Sequence, residues 1–250
     1  KAINKGEVMF IDQHLSETVE QMRNKQLKKP DIAVIEAVAI TEDGGIIPTT
    51  SVGNSASFAI FAEKVIVEIN TNLSPAFEGL HDIYIPSYRP TRQPIPLTEV
   101  DERIGTQAIN IDPSKIVGIV INSEFHDSPS TVTEPDDETQ GIANHLIAFF
   151  EKEVAEDRLP KNLGPLQAGI GSIANAVLTG LKDSNFEDLI MYSEVLQDCT
   201  FELIDAGKMK FASGSSITLS AKYGEKVFNN LEAYKDKLVL RPQEISNHPQ

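Results

Sequence analysis

The sequence predicts an α/β protein, in which strands and helices alternate along the chain. Two runs rich in β-branched residues, Ile32–Ile40 and residues 65–69, have the length and composition of buried strands. Between them lies a short stretch with apolar residues at helical spacing. Farther along, a glycine turn at residues 169–171 opens an amphipathic helix, and the short apolar run at 189–192 follows it. Such alternation is typical of sheets covered by helices.

The first 160 residues contain the earlier part of this pattern. Lys28 and Lys29 before Pro30 mark the end of the first helix, because cations favour a helix C-terminus and proline cannot continue a helix. Turn residues at 42–45 predict a hairpin-like return beside the first strand. The predicted elements are a helix over 15–27, strands over 32–40 and 46–47, a short helix capped by Asn54 or Ser55, strands over 65–69 and 116–121, and a helix over 142–154.

Two stretches interrupt these elements. Residues 75–113 contain many prolines, which fix φ and remove a hydrogen-bond donor. We expect them to cross the surface and to contribute no core element. The acidic run at 128–138 is interpreted as a solvated loop.

The second part of the chain begins after a linker. Pro160, Gly164 and Pro165 mark a boundary within residues 158–165, so we predict two domains, 1–160 and 161–250. The later elements are a helix after the glycine turn, a strand over 189–192, a helix through 201–204 that Gly207 closes, a strand over 209–212, a helix over 222–231 and a strand over 238–240.

Composition argues against several classes of function. The formal net charge is −15, which disfavours nucleic-acid binding because phosphate contacts need clustered lysines and arginines. The chain has no run of about 18 apolar residues, so we expect no transmembrane helix and no membrane partner. Its first residues do not resemble a signal peptide. A single cysteine forbids an intrachain disulfide and fits a reducing compartment. We therefore expect a cytoplasmic protein.

Most isolated reactive side chains have a structural interpretation. Cys199 falls on a predicted helix, where a small core residue is the simpler role than a nucleophile. Lys208, Lys210 and Arg241 could attract an anion, but we interpret each as an exposed ion-pair residue. The histidines have no metal-ligand spacing, so we predict no metal site and no histidine base. They are His14, His81, His126, His145 and His248.

The glycine turn has two possible roles. Gly169 and Gly171 lack the Cβ atoms that would keep a ligand away from the backbone. Ser172 or Asn175 could cap the following helix, and the free N–H groups of a helix N-terminus attract phosphates and carboxylates. A tight turn into a buried helix has the same pattern, so these residues alone leave both roles open.

Glu194 follows the apolar run at 189–192. If that run is a strand, the carboxylate lies at its carboxyl end, and ligands bind at this edge of open α/β sheets. A surface acid or a capping residue is the alternative, since most glutamates are exposed.

Residues 169–177, Gly-Ile-Gly-Ser-Ile-Ala-Asn-Ala-Val, together with residues 192–198, Tyr-Ser-Glu-Val-Leu-Gln-Asp, resemble the acetyl-CoA hydrolase/transferase family, in particular its succinyl-CoA:acetate CoA-transferases. Residues 36–55 and 210–216 extend the likeness to nearly the whole chain. The resemblance implies a CoA-transferase-like fold of the NagB/RpiA/CoA-transferase type, with open sheets flanked by helices and two related domains. Members are roughly twice as long, so we expect both domains to be incomplete here and the chain to be a central fragment.

The resemblance also implies the site. Glu194 matches the family's nucleophile, and Gly169, Ile170, Gly171, Ser172 and Ile173 match its coenzyme A-binding loop. Many relatives have asparagine in place of Ser172, so the loop's backbone contacts are the ones implied here. A homodimer is the family expectation. No permanently bound cofactor is implied, and the coenzyme A thioester is a substrate.

The expected chemistry is transfer of coenzyme A between an acyl-CoA, such as succinyl-CoA or acetyl-CoA, and a small carboxylate such as acetate. A positioned carboxylate can attack a thioester and divide the reaction into easier steps through a glutamyl-CoA intermediate. Water attacking the same intermediate would make the protein an acetyl-CoA hydrolase. A non-catalytic coenzyme A-binding fragment is the alternative of another class.

Overall fold

A computed structural model describes residues 1–124, 128–130 and 135–248 of the chain. These residues form two four-stranded sheets and one two-stranded sheet, with helices packed against them. The predicted α/β class, with parallel strands flanked by helices, is confirmed.

The first sheet has the strand order β2-β1-β3-β4. β1, β3 and β4 are parallel, and β2 returns antiparallel beside β1, as the turn at 42–45 predicted. Ala33, Ile35, Val65 and Val67 point into the core, where α2 packs against β1. The elements are α1 Glu17–Arg23, β1 Ile32–Ile40, β2 Ile46–Pro48, α2 Ser55–Phe61, β3 Lys64–Asn70, β4 Ile116–Asn122 and α3 Asp137–Ala155.

The second sheet has the order β10-β8-β6-β5, and all of its strands are parallel. α5 packs against β8, α4 packs against α5, and α3 packs on α4. The elements are β5 Pro165–Leu166, α4 Ser172–Asp183, β6 Leu189–Tyr192, β7 Val195–Leu196, α5 Asp198–Asp205, β8 Met209–Gly214, β9 Ser216–Ile217, α6 Ala221–Phe228, β10 Leu238–Leu240 and α7 Gln243–Ser246.

Backbone bridges and a shared hydrophobic core join the first four-stranded sheet to the second part of the chain. Ser51 bridges to Ser216, and His81 bridges to Leu240. One continuous hydrophobic cluster contains residues of both sheets, from Ala33 on β1 to Leu240 on β10. The site described below therefore has walls from both parts of the chain. The boundary at 158–165 stays a prediction.

Some local expectations are wrong. α1 ends at Arg23, well before Lys28, because Lys25 adopts a left-handed conformation with φ of 62°. Asn54 occupies the N-cap position of α2 but its side chain makes no capping hydrogen bond. A short polar residue at the start of a helix is therefore not enough to predict a capping hydrogen bond.

The proline-rich stretch is also not confined to the surface. Phe77, Leu80 and Ile109 are completely buried, and Ile109 pairs with Ile46 of β2. Proline content shows that a segment lacks regular structure, but apolar residues between the prolines can still fill the core. β4, by contrast, is an exposed edge strand, with Ile121 64% exposed.

Arg241 was expected to be an exposed ion-pair residue, and this is wrong. Its side chain is fully buried and forms an ion pair with the equally buried Asp82. Nε also donates to Ser213 Oγ at 2.9 Å, and Nη2 donates to the carbonyl oxygen of Glu102 at 2.5 Å. Arg241 therefore ties the segment around Asp82 to β8.

Buried His81 predicts a pH-dependent stability. Nε2–H donates to the carbonyl oxygen of Thr49 at 3.0 Å, and burial, assisted by the positive charge of Arg103, lowers the pKa of His81 to about 4. Unfolded histidine binds a proton below about pH 6.5. As the pH falls from about 6.5 to about 4, the unfolded chain therefore binds a proton at His81 that the folded protein does not bind. The free energy of unfolding should decrease by up to about 1.4 kcal/mol for each pH unit in this range.

The variant His81→Gln removes this titration while retaining an N–H donor. Urea unfolding at a series of pH values should show a shallower decline for His81→Gln than for the wild type between about pH 6.5 and 4. His145→Gln, on the exposed side of α3, is the matched control and should retain the wild-type slope. Equal slopes for all three proteins would show that His81 binds its proton equally well in the folded and unfolded states, which would contradict the lowered pKa.

Candidate active site

Glu194 lies where β6 ends, at the carboxyl edge of the second sheet. Its carbonyl oxygen accepts hydrogen bonds from the N–H groups of Ser215, at 2.7 Å, and Ser216, at 3.2 Å. A Cβ atom at Gly214 would meet Leu196 Cγ at 2.7 Å and this carbonyl oxygen at 3.2 Å. The absence of a side chain at Gly214 thus allows the neighbouring strand end to hold the Glu194 backbone closely.

The Glu194 carboxylate is half-buried and has a partner that the sequence did not reveal. Gln243 Nε2 donates to Glu194 Oε1 at 2.6 Å. The Gln243 backbone N–H donates to the carbonyl oxygen of Gly53 at 2.8 Å. Gln243 therefore orients the carboxylate and connects it to the first part of the chain. A separation of 49 residues and an ordinary amide side chain left no sequence signal for this contact.

The glycine turn begins beside Glu194. β5 and β6 are parallel neighbours, so their carboxyl ends meet at the same edge. Ser193 Oγ donates to the carbonyl oxygen of Ala168 at 3.0 Å, and the Ala168 N–H donates back to Ser193 Oγ at 3.3 Å. One serine thus ties the residue before Glu194 to the residue before Gly169.

The turn itself is open to solvent. Gly171 has φ of 144° and precedes the first helical residue, Ser172. The expected cap by Ser172 or Asn175 is wrong, because α4 starts at Ser172 without a side-chain capping bond. A Cβ at Gly169 would meet no neighbour, while Ile170 is 76% exposed and Ile173 is 48% exposed. Internal packing therefore does not require Gly169.

A cleft of about 1270 Å³ opens beside Glu194. Tyr192, Glu194 and Gln167 from the second part of the chain are among the residues that line it. Arg89 and Arg92, from the proline-rich stretch, line it as well. Residues 169–173 are not part of this lining. The structure thus places Glu194 in the cleft, whereas the predicted coenzyme A loop lies outside the lining and starts two residues after Gln167.

Tyr192 anchors the end of the chain beside this cleft. Its hydroxyl donates to the carbonyl oxygen of Ile245 at 2.8 Å, which ties α7 to β6. Burial raises the pKa of Tyr192 further above neutral pH. The same contact keeps Gln243 near Glu194.

Other reactive groups lie outside this arrangement. Cys199 is 6% exposed and burial raises its pKa to about 12, so its thiol is not poised as a nucleophile; the core interpretation is confirmed. Within the described ranges, no group of three or more histidine, cysteine, aspartate or glutamate residues is placed to hold a metal ion. His126 lies outside those ranges. None of the helices described there combines the length and apolar character needed to cross a bilayer.

Comparison with known proteins gives consistent matches. Residues 1–121 match the acetyl-CoA hydrolase/transferase N-terminal domain. Aligned over its whole length, the chain is 46% identical to an acetyl-CoA hydrolase of Schizosaccharomyces pombe, and it covers 49% of that protein. It is also 45% identical over its whole length to a succinyl-CoA:acetate CoA-transferase of Clostridium kluyveri, of which it covers 46%. The chain thus spans about half the length of these relatives.

Solved structures share the fold at low sequence identity. A 4-hydroxybutyrate CoA-transferase from Porphyromonas gingivalis matches 99% of this chain over 53% of its own, with 20% identity and a TM-score of 0.63. RipA from Yersinia pestis matches 99% over 49% of its own chain, with 18% identity and a TM-score of 0.64. The predicted fold type is thereby confirmed. The matches in sequence agree with this fold: residues 1–121 carry the acetyl-CoA hydrolase/transferase N-terminal domain, and the whole chain is similar to acetyl-CoA hydrolases and to a succinyl-CoA:acetate CoA-transferase.

Proposed function

We propose that this chain carries the nucleophile of a CoA-transferase that moves coenzyme A between an acyl-CoA and a small carboxylate. The observation that carries the proposal is the position of Glu194, at a strand's carboxyl end, inside a cleft and oriented by Gln243. An oriented carboxylate in a partly desolvated site is a better nucleophile than one in water. Succinyl-CoA or acetyl-CoA and acetate are the substrates we propose.

The chemistry proceeds through covalent exchange at Glu194. A carboxylate oxygen of Glu194 attacks the thioester carbonyl carbon and the carbon–sulfur bond breaks. The coenzyme A thiolate departs, and an acyl-glutamyl anhydride is formed. The thiolate then attacks the glutamyl carbonyl, which releases the first carboxylate and leaves glutamyl-CoA. The acceptor carboxylate reverses these two steps and departs as acyl-CoA. Coenzyme A is a substrate throughout, and this scheme requires no resident cofactor.

The glycine turn is proposed to assist this exchange. Gly169, Ile170, Gly171, Ser172 and Ile173 follow Gln167 of the cleft lining and lead into α4, and all of them except Ser172 are exposed. Backbone N–H groups at such a place can contact coenzyme A or stabilise the developing oxyanion. The tie between Ser193 and Ala168 supports this, because it holds the turn beside Glu194.

Hydrolysis is the second candidate, since several relatives are named acetyl-CoA hydrolases. The two activities share the glutamyl-CoA intermediate and differ in whether water or a carboxylate attacks it. Coenzyme A release that proceeds without added acetate would favour the hydrolase, and strict dependence on acetate would favour the transferase. A cytoplasmic homodimer completes the proposal; the family resemblance supports the dimer, and the single cysteine supports the compartment.

Borohydride trapping tests the covalent step directly. The polypeptide in its full natural length is incubated with acetyl-CoA or succinyl-CoA, reduced, and digested for peptide mass spectrometry. We expect the glutamyl thioester to be reduced to a primary alcohol at residue 194, and Glu194→Ala should give no such product. Turnover by the wild type with an unmodified Glu194 peptide would contradict the nucleophile assignment.

A further inference from the structure

Cationic side chains lie in the same cleft as Glu194. Arg89 and Arg92 both line it, although they come from a stretch that the sequence suggested was only a surface excursion. The Arg92 side chain is 11% exposed, whereas that of Arg89 is 51% exposed. One guanidinium is thus largely withdrawn from solvent, where its interaction with an anion is stronger than in water.

A buried carboxylate, that of Glu20, holds both of these arginines in place. Glu20 on α1 contacts Arg89 at 3.1 Å and Arg92 at 3.2 Å, and it also contacts Arg23 at 2.5 Å. Burial raises the pKa of Glu20, but hydrogen bonds from Arg23 and Asn24 and the positive charges of Arg23 and Arg92 outweigh this effect and lower it. Glu20 therefore stays ionised and fixes the arginines on the wall of the cleft.

The same cluster reaches Glu194 through α7. Glu244 contacts Arg23 at 2.5 Å and Arg92 at 3.8 Å. The preceding residue, Gln243, donates to Glu194. The cationic wall and the nucleophile are therefore positioned by adjacent residues of one short helix.

The proposed reaction needs positive charge at this place. Glu194 is anionic, the acceptor acid is anionic, and coenzyme A carries phosphates, while the whole chain has a formal charge of −15. Without a local cation, each of these anions would be repelled as it approached Glu194. Guanidinium groups suit carboxylate and phosphate because their N–H groups match the spacing of two oxygens.

We propose that Arg92, with Arg89 beside it, forms an oxyanion-binding subsite that holds a carboxylate or phosphate group of the substrates while Glu194 reacts. The inference rests on the proposed function for its substrates. Glu20 and Glu244 are positioning residues for this subsite, and Arg92 and Arg89 contact the substrate.

The test combines binding without turnover with steady-state kinetics, on the polypeptide in its full natural length. Succinate and inorganic phosphate are titrated by NMR against the wild type, Arg92→Gln, Arg92→Lys and Arg89→Gln. We expect Arg92→Gln to weaken the binding of at least one of the two probes by roughly 10- to 100-fold. Arg92→Lys should recover part of the lost affinity, and Arg89→Gln should lose less affinity than Arg92→Gln. Arg158→Gln is the matched control, since Arg158 is 50% exposed and pairs with Glu153 and Glu156 outside the cleft; its binding should equal that of the wild type.

Kinetics then identify the group that binds. A loss of kcat/KM in Arg92→Gln for succinate but not for acetate identifies the distal carboxylate of a dicarboxylate. A loss with coenzyme A esters but not with dephospho-coenzyme A esters identifies the 3′-phosphate. A higher KM for acetate itself identifies the reacting carboxylate. Each of these results supports the subsite.

The contrary result is equally clear. Wild-type binding and kinetics in a folded Arg92→Gln protein would overturn the inference, and Arg89→Gln decides if Arg92→Gln does not fold. Trapping at Glu194 in the wild type separates this failure from that of the proposed function. An adduct with no effect of the arginines contradicts the subsite alone, whereas turnover without an adduct contradicts the nucleophile.

Discussion

Glu194→Gln is expected to lower kcat for acyl-CoA turnover by about 10³-fold or more, the range seen when an enzyme loses its covalent nucleophile. An amide cannot form the anhydride or the glutamyl thioester. The substitution is nearly isosteric, and the amide oxygen can still accept from Gln243, so the fold should be preserved. Coenzyme A release or exchange, measured at saturating acyl-CoA, checks the result, and KM should change much less than kcat.

Glu187→Gln is the matched control for this substitution. Glu187 lies shortly before β6, as Glu194 lies shortly after it, and its side chain is 76% exposed and 3.7 Å from Lys208. The same chemical change at Glu187 should leave kcat within about twofold of the wild type, since exposed ion pairs contribute little. Comparable activity of Glu194→Gln and Glu187→Gln would remove Glu194 from the mechanism.

Asp82→Ala is expected to destabilise the protein by about 3–5 kcal/mol, because it leaves the fully buried charge of Arg241 without its partner. Asp82 also accepts hydrogen bonds from the backbone N–H groups of Ile104, at 3.0 Å, and Gly105, at 2.6 Å. Their loss should loosen the proline-rich stretch that lines the cleft. The midpoint of urea unfolding, read with an unchanged slope, measures the effect.

Two further variants separate the causes. Asp31→Ala removes an exposed carboxylate that pairs with Lys28 at 2.9 Å, and it should cost at most about 1 kcal/mol. The double variant Asp82→Ala/Arg241→Met removes both buried charges and should recover part of the lost stability, because a buried apolar side chain needs no partner. A loss from Asp82→Ala no greater than that from Asp31→Ala would show that the buried pair contributes little.

Periodic apolar patterns predicted the elements well. β1 has the predicted bounds, 32–40, and the run at 189–192 is β6. Each strand has a buried face, on which local composition and tertiary packing favour the same conformation, but the predicted burial of β1 is only half right, since Ile32 and Val34 on its other face are exposed. The first helix was too long in the prediction, since one residue with positive φ, Lys25, ended it at a place that lacks the usual signals. Lys25 is exposed and its side chain is ordinary, so the residue type gives no indication of this conformation.

Patterns were less informative about burial. β4 reads as an apolar strand but lies at an exposed sheet edge, while Phe77 and Ile109 are buried within a stretch rich in prolines. Burial depends on which element covers a residue, and the covering element is distant along the chain. The same reason explains why the charged Arg241 was misplaced: its partner, Asp82, is 159 residues away.

Residue types and local spacing were enough to indicate the α/β class, the strand that carries Glu194 and the glycine turn near it. These features depend on neighbours within a few residues, where backbone preference and apolar periodicity act. The contact from Gln243 to Glu194, the tie from Ser193 to Ala168 and the placement of Arg92 in the same cleft as Glu194 depend on folding. Side chains far apart in sequence meet there only because parallel strands end at a common edge and buried charges must find partners.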